Sequence, residues 1–153
     1  MKLSAMEIRV VRETFEQPLA EFFRDLAKAG DDKYFHPHPL THDEARKCAQ
    51  YSGEDLYYVI MENEKVIGYA MLRGWDEGYE IPSLGIAMHP SVRGVGLGEL
   101  MIRFLHAAAQ RRGCGKIRIR VYPQNTHAVA LYKKLGYCFE SEQAGQLVGF
   151  VTL

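Results

Sequence analysis

Three glycines alternate in Arg93-Gly94-Val95-Gly96-Leu97-Gly98, just ahead of the strongest helical pattern in the chain. A glycine carries no side chain, so the backbone N–H groups beside it can approach a ligand closely. The first N–H groups of a helix have no intrahelical partner, and the helix dipole adds partial positive charge there. Together these make an anion site suited to phosphate, and Arg93 can add a guanidinium to it. A dinucleotide G-x-G-x-x-G does not fit, because Glu99 or Met101 stands where the last glycine is needed. A Walker-type G-x-x-x-x-G-K-[ST] is absent. The plain alternative is a glycine-rich connection without a ligand. His89-Pro90, an arginine, alternating glycines and a long amphipathic helix in succession weigh against it.

A second constellation runs from Asn125 to Tyr137. Asn125 and Tyr132 lie two helical turns apart, so they share a face about 10 Å apart along the axis. Ala128, Leu131 and Leu135 form an adjoining apolar stripe. An amide and a phenol beside a small residue suit a narrow ligand lying along the helix. The bland reading is that Asn125 only caps the helix and Tyr132 only packs.

The two segments together resemble the GCN5-related N-acetyltransferases, the GNAT superfamily. Arg93 to Gly98 resembles that family's [QR]-x-x-G-x-[GA] pyrophosphate loop. Asn125 to Tyr137 resembles its N-x-x-A-x-x-L-Y-x-x-x-G-[FY] stretch, and Leu84 to Pro90 its fourth strand. The resemblance implies acetyl-CoA as co-substrate and acyl transfer to an amine. It implies that the backbone of Ile86, Ala87 and Met88 pairs with the pantetheine amides, and that an N–H near Met88 holds the thioester oxygen. The N–H groups from Arg93 through Gly94, Val95, Gly96, Leu97 and Gly98 to Glu99 would hold the pyrophosphate. Asn125 would bond the pantetheine arm, and Tyr132 would point at the sulfur.

The base departs from the family pattern. Many members carry a glutamate where this chain has Ser83. Glu80, acting through a water, is the nearby carboxylate. His36 and His38 lie in the loop where the family often builds its acceptor pocket, and a histidine titrates near neutral pH. Pro37 and Pro39 offer the other reading, a rigid turn. Trp75, with Asp76 and Glu77, could rim the pocket or anchor packing, and His89 before Pro90 reads as structural. The reading is an N-acetyltransferase acting on a primary amine of a small polar acceptor. A non-catalytic acetyl-CoA-sensing module and an N-terminal peptide acetyltransferase stay open. A nicotinamide-type oxidoreductase is disfavoured by Glu99 and Met101.

These residues need a frame, and the pattern supplies one. Strands are predicted at Glu7–Val11, Leu56–Met61, Val66–Leu72, Ile81–Met88, Lys116–Val121, Tyr137–Glu142 and Leu147–Leu153. Helices are predicted from Pro18 to Gly30, Thr41 to Tyr51, Leu97 to Arg112 and Asn125 to Leu135. Pro82 and Gly85 predict a splayed or bulged fourth strand. In the long helix, Leu97, Leu100, Met101, Phe104, Leu105 and Ala108 form the expected apolar stripe. The expected fold is α/β (α+β): one GNAT-like domain over 1–153, with a mixed, largely antiparallel sheet of about seven strands and about four flanking helices.

Composition bounds the partners. Lys plus Arg number 19 and Asp plus Glu also 19, so no basic excess supports a nucleic-acid partner. No apolar run approaches the roughly 18 residues of a membrane span. Cys48, Cys114 and Cys138 form no C-x-x-C pair, and reduced thiols in a cytoplasmic protein are expected. No metal-ligand spacing stands out. The expected partner is a small-molecule amine; a homodimer is left open.

Overall fold

The computed structural model describes residues 3–35 and 37–153. The chain runs β1 (Met6–Val10), α1 (Glu16–Lys28), α2 (His42–Ala49), β2 (Leu56–Glu62), β3 (Lys65–Arg73), β4 (Ser83–Met88), α3 (Leu97–Arg111), β5 (Lys116–Val121), α4 (Thr126–Lys134), β6 (Cys138–Gln143) and β7 (Gln146–Thr152). One seven-stranded sheet has the order β1-β2-β3-β4-β5-β7-β6. Every pairing is antiparallel except β4 with β5. This is the mixed, largely antiparallel sheet with four helices that the sequence leads one to expect.

Alternation along the strands divides the core in two. On one face, Leu72, Leu84, Ile117 and Ile119 pack under Met101, Ile102 and Leu105 of α3. On the other, Val59, Tyr69 and Met71 pack under Leu19, Phe22, Phe23 and Leu26 of α1 and Ala45 of α2. Thr41 caps α2 as its spacing predicts, its hydroxyl accepting from the Glu44 N–H at 3.2 Å. The β2–β3 hairpin turns on Asn63 and Glu64, both with positive φ (48° and 69°).

Two local expectations need correction. In α3 the buried residues are Met101, Ile102, Leu105 and Ala109, and Leu100 is 49% exposed. Apolar residues cover more than half of this helix, so two overlapping stripes are available, and packing on the sheet selects the second. The Asn125 side chain makes no capping hydrogen bond; α4 instead opens with the Asn125 carbonyl accepting from the Val129 N–H at 3.0 Å.

The splay at the fourth strand is present, and it has a direction. β4 keeps full register with β3, from Arg73↔Ser83 to Gly68↔Met88. Against β5 it holds only Ser83↔Arg118, beside the Arg118 N–H to Pro82 carbonyl bond at 2.9 Å. From Leu84 onward the two parallel strands diverge.

Candidate active site

Where β4 and β5 part, the sheet opens into a cleft of about 590 Å³. Leu84, Gly85 and Ile86 form one wall; Val121 of β5, the α4 N-cap Asn125, and Ala128 and Tyr132 of α4 form the other. Asn125, Ala128 and Tyr132 sit at i, i+3 and i+7, the single face their spacing predicts. Ile86 lines the cleft directly, and Ala87 and Met88 follow it along the same half-buried strand.

Tyr132 is 7% exposed, and its ring meets Tyr137 edge-on at 5.2 Å between centroids. Burial pushes its hydroxyl well above the ordinary phenol range. Tyr137, also raised by burial, lies 2.9 Å from His106 Nε2 through its own hydroxyl. Desolvation, with Arg103 adding to it, lowers His106 and favours the neutral ring. That bond and the edge-on contact of the two tyrosine rings fix the face against which Tyr132 stands.

At the far end of β4 the chain enters the glycine turn. Gly94 and Gly96 have φ of 79° and 86°, a region that L side chains rarely adopt, and open space lies where a Cβ would project from either. Gly96 is the N-cap residue of α3, with no side-chain cap bond. The N–H groups of Leu97, Gly98 and Glu99 thus begin the helix without intrahelical acceptors. The Glu99 carboxylate is turned toward Lys134 and Arg103 (3.3 and 3.2 Å), which hold it below the usual carboxylate range. The Arg93 guanidinium is engaged within the fold: it bonds Asp31 Oδ2 at 2.5 Å and the Met88 carbonyl at 3.1 Å. His89 is structural, as its place before Pro90 suggests. Its Nε2 meets Asp25 at 3.0 Å, and its Nδ1 accepts from the Ser91 N–H at 3.1 Å. The turn is thereby strapped to α1 and the residues after it.

The acceptor end is only partly as expected. Ser83 lines the cleft. Glu80 stands on the exposed approach to β4, and the carboxylate on the lining is Glu77. Trp75 packs against the α3-side core beneath the Arg112 guanidinium, 4.5 Å from its ring, and does not line the cleft. Asp55 fixes that turn by accepting from the Gly74 and Trp75 N–H groups at 3.0 and 2.9 Å.

His36 lies outside the described residues. His38 is enclosed by the rings of Phe23, Phe35 and Tyr69, with centroids 5.2–5.6 Å away. Its Nδ1 donates to the Pro39 carbonyl at 2.7 Å, and its Nε2 faces the Tyr69 hydroxyl at 3.0 Å. The neighbouring residues, Phe35 and Pro37, are the ones that reach the cleft. Desolvation lowers the His38 pKa. The sign of the consequence follows: a histidine depressed in the folded state contributes stability above its unfolded value of about 6.5 and loses it as pH falls below that. Thermal unfolding is expected at lower temperature at pH 5 than at pH 7.5, and a His38→Gln variant should lose part of that pH dependence. An identical slope in the variant would remove His38 as its source.

Among the lining residues that sequence reasoning missed are three arginines, Arg73, Arg118 and Arg120. The alternation of Arg118 and Arg120 with Ile117, Ile119 and Val121 marks them as sharing a face. Nothing local says that this face borders a cleft.

A sheet opened between two parallel strands, a glycine turn beyond one end of the opening and a phenol at its wall together form the candidate site. Known proteins supply the family. Residues 19–137 match the acetyltransferase (GNAT) family. An acetyltransferase of Pectobacterium atrosepticum is 30% identical over 135 residues, covering 86% of this chain and 87% of that one. The fold is shared with the PaiA N-acetyltransferase of Thermoplasma acidophilum, solved with coenzyme A (TM-score 0.81, 15% identity, 97% of this chain and 99% of that one). It is shared also with a GCN5-related N-acetyltransferase of Kribbella flavida (TM-score 0.79, 23% identity, 97% and 98%). The chain belongs to the acetyltransferase (GNAT) family, whose members are acyltransferases with acetyl-CoA as co-substrate. Among the described residues, no helix is long and apolar enough to cross a membrane.

Proposed function

We propose that the protein transfers the acetyl group of acetyl-CoA to a primary amine of a small polar acceptor, by direct attack of the neutral amine on the thioester. The observation that carries this reading is the divergence of β4 from β5 with Tyr132 on its wall. The residues fit the co-substrate. Gly94 and Gly96 leave space above the start of α3 for a diphosphate, and the diverging edge of β4 offers strand-type pairing to an amide-bearing arm.

Bound there, acetyl-CoA supplies an activated acetyl thioester. The N–H groups from Arg93 to Glu99 hold the diphosphate, and Ile86, Ala87 and Met88 align the arm along β4. An N–H near Met88 holds the thioester oxygen as charge develops on it. Asn125 bonds the arm from α4, and Tyr132 Oη keeps its proton and donates to the sulfur. Positioning supplies most of the rate. The amine's proton leaves through water toward Glu77 on the lining and Glu80 on the approach. The free thiols Cys48, Cys114 and Cys138 fit a cytoplasmic location.

Calorimetry with coenzyme A, followed by thiol release from acetyl-CoA across a panel of amines with product masses measured, tests the proposal. Binding together with an added acetyl mass on a small amine is the expected result. Folded protein that takes up no coenzyme A overturns it. Binding without thiol release from any amine replaces it with a sensing module.

A further inference from the structure

The acceptor end of the cleft carries a charge arrangement that acetyl transfer alone does not require. Arg73, Ser83 and Arg118 occupy one row across three neighbouring strands, through the pairings Arg73↔Ser83 and Ser83↔Arg118. Strands lie about 4.8 Å apart, so the two arginines flank Ser83 with Cα atoms roughly 10 Å from each other. Arg120 is two residues further along β5, on the same face and about 7 Å away. All three line the cleft, with Glu77 as the carboxylate beside them among the described residues.

Like charges grouped on one sheet face repel unless something answers them. Four of the eight arginines outside the cleft meet carboxylates, among them Arg46 with Asp43, Arg93 with Asp31 and Arg103 with Glu99. The cleft arginines meet neutral groups. Arg73 donates to the Pro37 carbonyl at 2.8 Å. Arg118 donates to Gln143 Oε1 at 3.2 Å and lies 3.5 Å from Ser83 Oγ, and Arg120 donates to the Gln143 carbonyl at 3.4 Å. These bonds aim the guanidinium groups without neutralising them. Among the described residues, no carboxylate lies within ion-pair distance of any of the three.

We propose that the acceptor bears an oxyanion close to its amine, and that Arg73, Arg118 and Arg120 select it. The proposal rests on the acetyl-transfer reading above and names its substrate class: short amino carboxylates or their phosphonate counterparts. The anion is not the co-substrate's diphosphate. The arginine row stands at the start of β4, and the glycine turn lies beyond its end, with about 17 Å or more of strand between them. Tyr132, whose hydroxyl is assigned to the sulfur above, lines the same cleft as the three arginines, so an anion they hold stands on the reacting side. A guanidinium fork suits the paired oxygens of such a group.

The test compares matched acceptors by thiol release: each proteinogenic amino acid against its α-carboxamide, and 2-aminoethylphosphonate against propylamine. The carboxamide amine is the less basic of its pair, so more of it is neutral at pH 7.5, which biases the comparison against the proposal. The expected result is a preference of roughly tenfold or more for an anionic member. The arm in which it appears says whether carboxylate or phosphonate is read. Arg118→Gln, and the exposed Arg120→Gln as a second variant, should raise KM for that member roughly 10–100-fold. Both should leave KM for acetyl-CoA unchanged and impair use of the anionic member far more than use of propylamine. Anionic acceptor should also raise the melting temperature of the coenzyme A complex in the parent and less in the variants. Equal or better use of the neutral partner in every pair sinks the proposal while acetyl transfer stands. Thiol release from no acceptor, with coenzyme A still bound, sinks the underlying activity instead.

Discussion

Replacing Tyr132 by phenylalanine is expected to lower kcat roughly 10–100-fold and to leave coenzyme A affinity and melting temperature nearly unchanged. A hydrogen bond to a charged group is worth about 1.5–3 kcal/mol, and about 1.4 kcal/mol is a factor of ten in rate. The bond in question is the one Tyr132 Oη gives to a sulfur gaining negative charge. Full proton transfer is a different matter. An ordinary phenol near 10 and a thiol near 8.5 already make it uphill by about 2 kcal/mol. Burial pushes Tyr132 higher still, which widens the gap. The same shift keeps the hydroxyl protonated across the working pH range, so no fall in rate between pH 7 and 9 should trace to Tyr132. Among the described residues the hydroxyl has no hydrogen-bond partner, and its removal strands no internal group. Stability is therefore a fair control, read by thermal unfolding beside single-turnover kinetics. A variant with parental kcat would take Tyr132 out of the mechanism.

What the sequence discloses about this site divides along the distance over which each signal acts. The Asn125, Ala128, Tyr132 row is a helical period and nothing more, so it reads directly from spacing. The bounds of β5 coincide with the alternation of Lys116 to Val121 for the same reason. The splay could be expected from Pro82 and Gly85, because both residues act on their own backbone. Its direction could not, since it depends on β4 keeping register with β3 and losing β5. Gly85 has a second use that is visible only in space: Pro37 crosses β4 there, where an added Cβ would come within 3.3 Å of its ring.

The acceptor end was the least legible, and every miss there is nonlocal. His38 and His36 look alike in a His-Pro-His-Pro run, which has no period to mark an inward residue. Three rings from α1, β3 and the loop itself decide that His38 is packed. Trp75 reads as a rim residue until Arg112, at the end of α3, is placed over it. Arg73 and Arg118 become neighbours only through two strand registers meeting at Ser83. Conversely, Arg93 looks free to bind an anion in the sequence, and the fold brings Asp31 against it.

The glycine turn carries the second large effect. Gly96→Val is expected to weaken coenzyme A binding roughly 10–100-fold by calorimetry, the equivalent of losing one or two charge-assisted hydrogen bonds. Two causes act together. With φ at 86°, a β-branched residue strains the N-cap and shifts the N–H groups of Leu97, Gly98 and Glu99. The added methyl groups also enter the open space beside Gly96, where the anion would approach. Strain alone predicts a cost in stability of about 1–2 kcal/mol. Gly113, at the other end of the same helix, separates strain from binding. It has φ of 82° and, like Gly96, nothing within 4 Å of an added Cβ. Gly113→Val should therefore cost similar stability and leave coenzyme A affinity unchanged. If both variants lose affinity alike, the loss comes from a weakened helix. If neither does, the main-chain donors at the start of α3 do not hold the diphosphate.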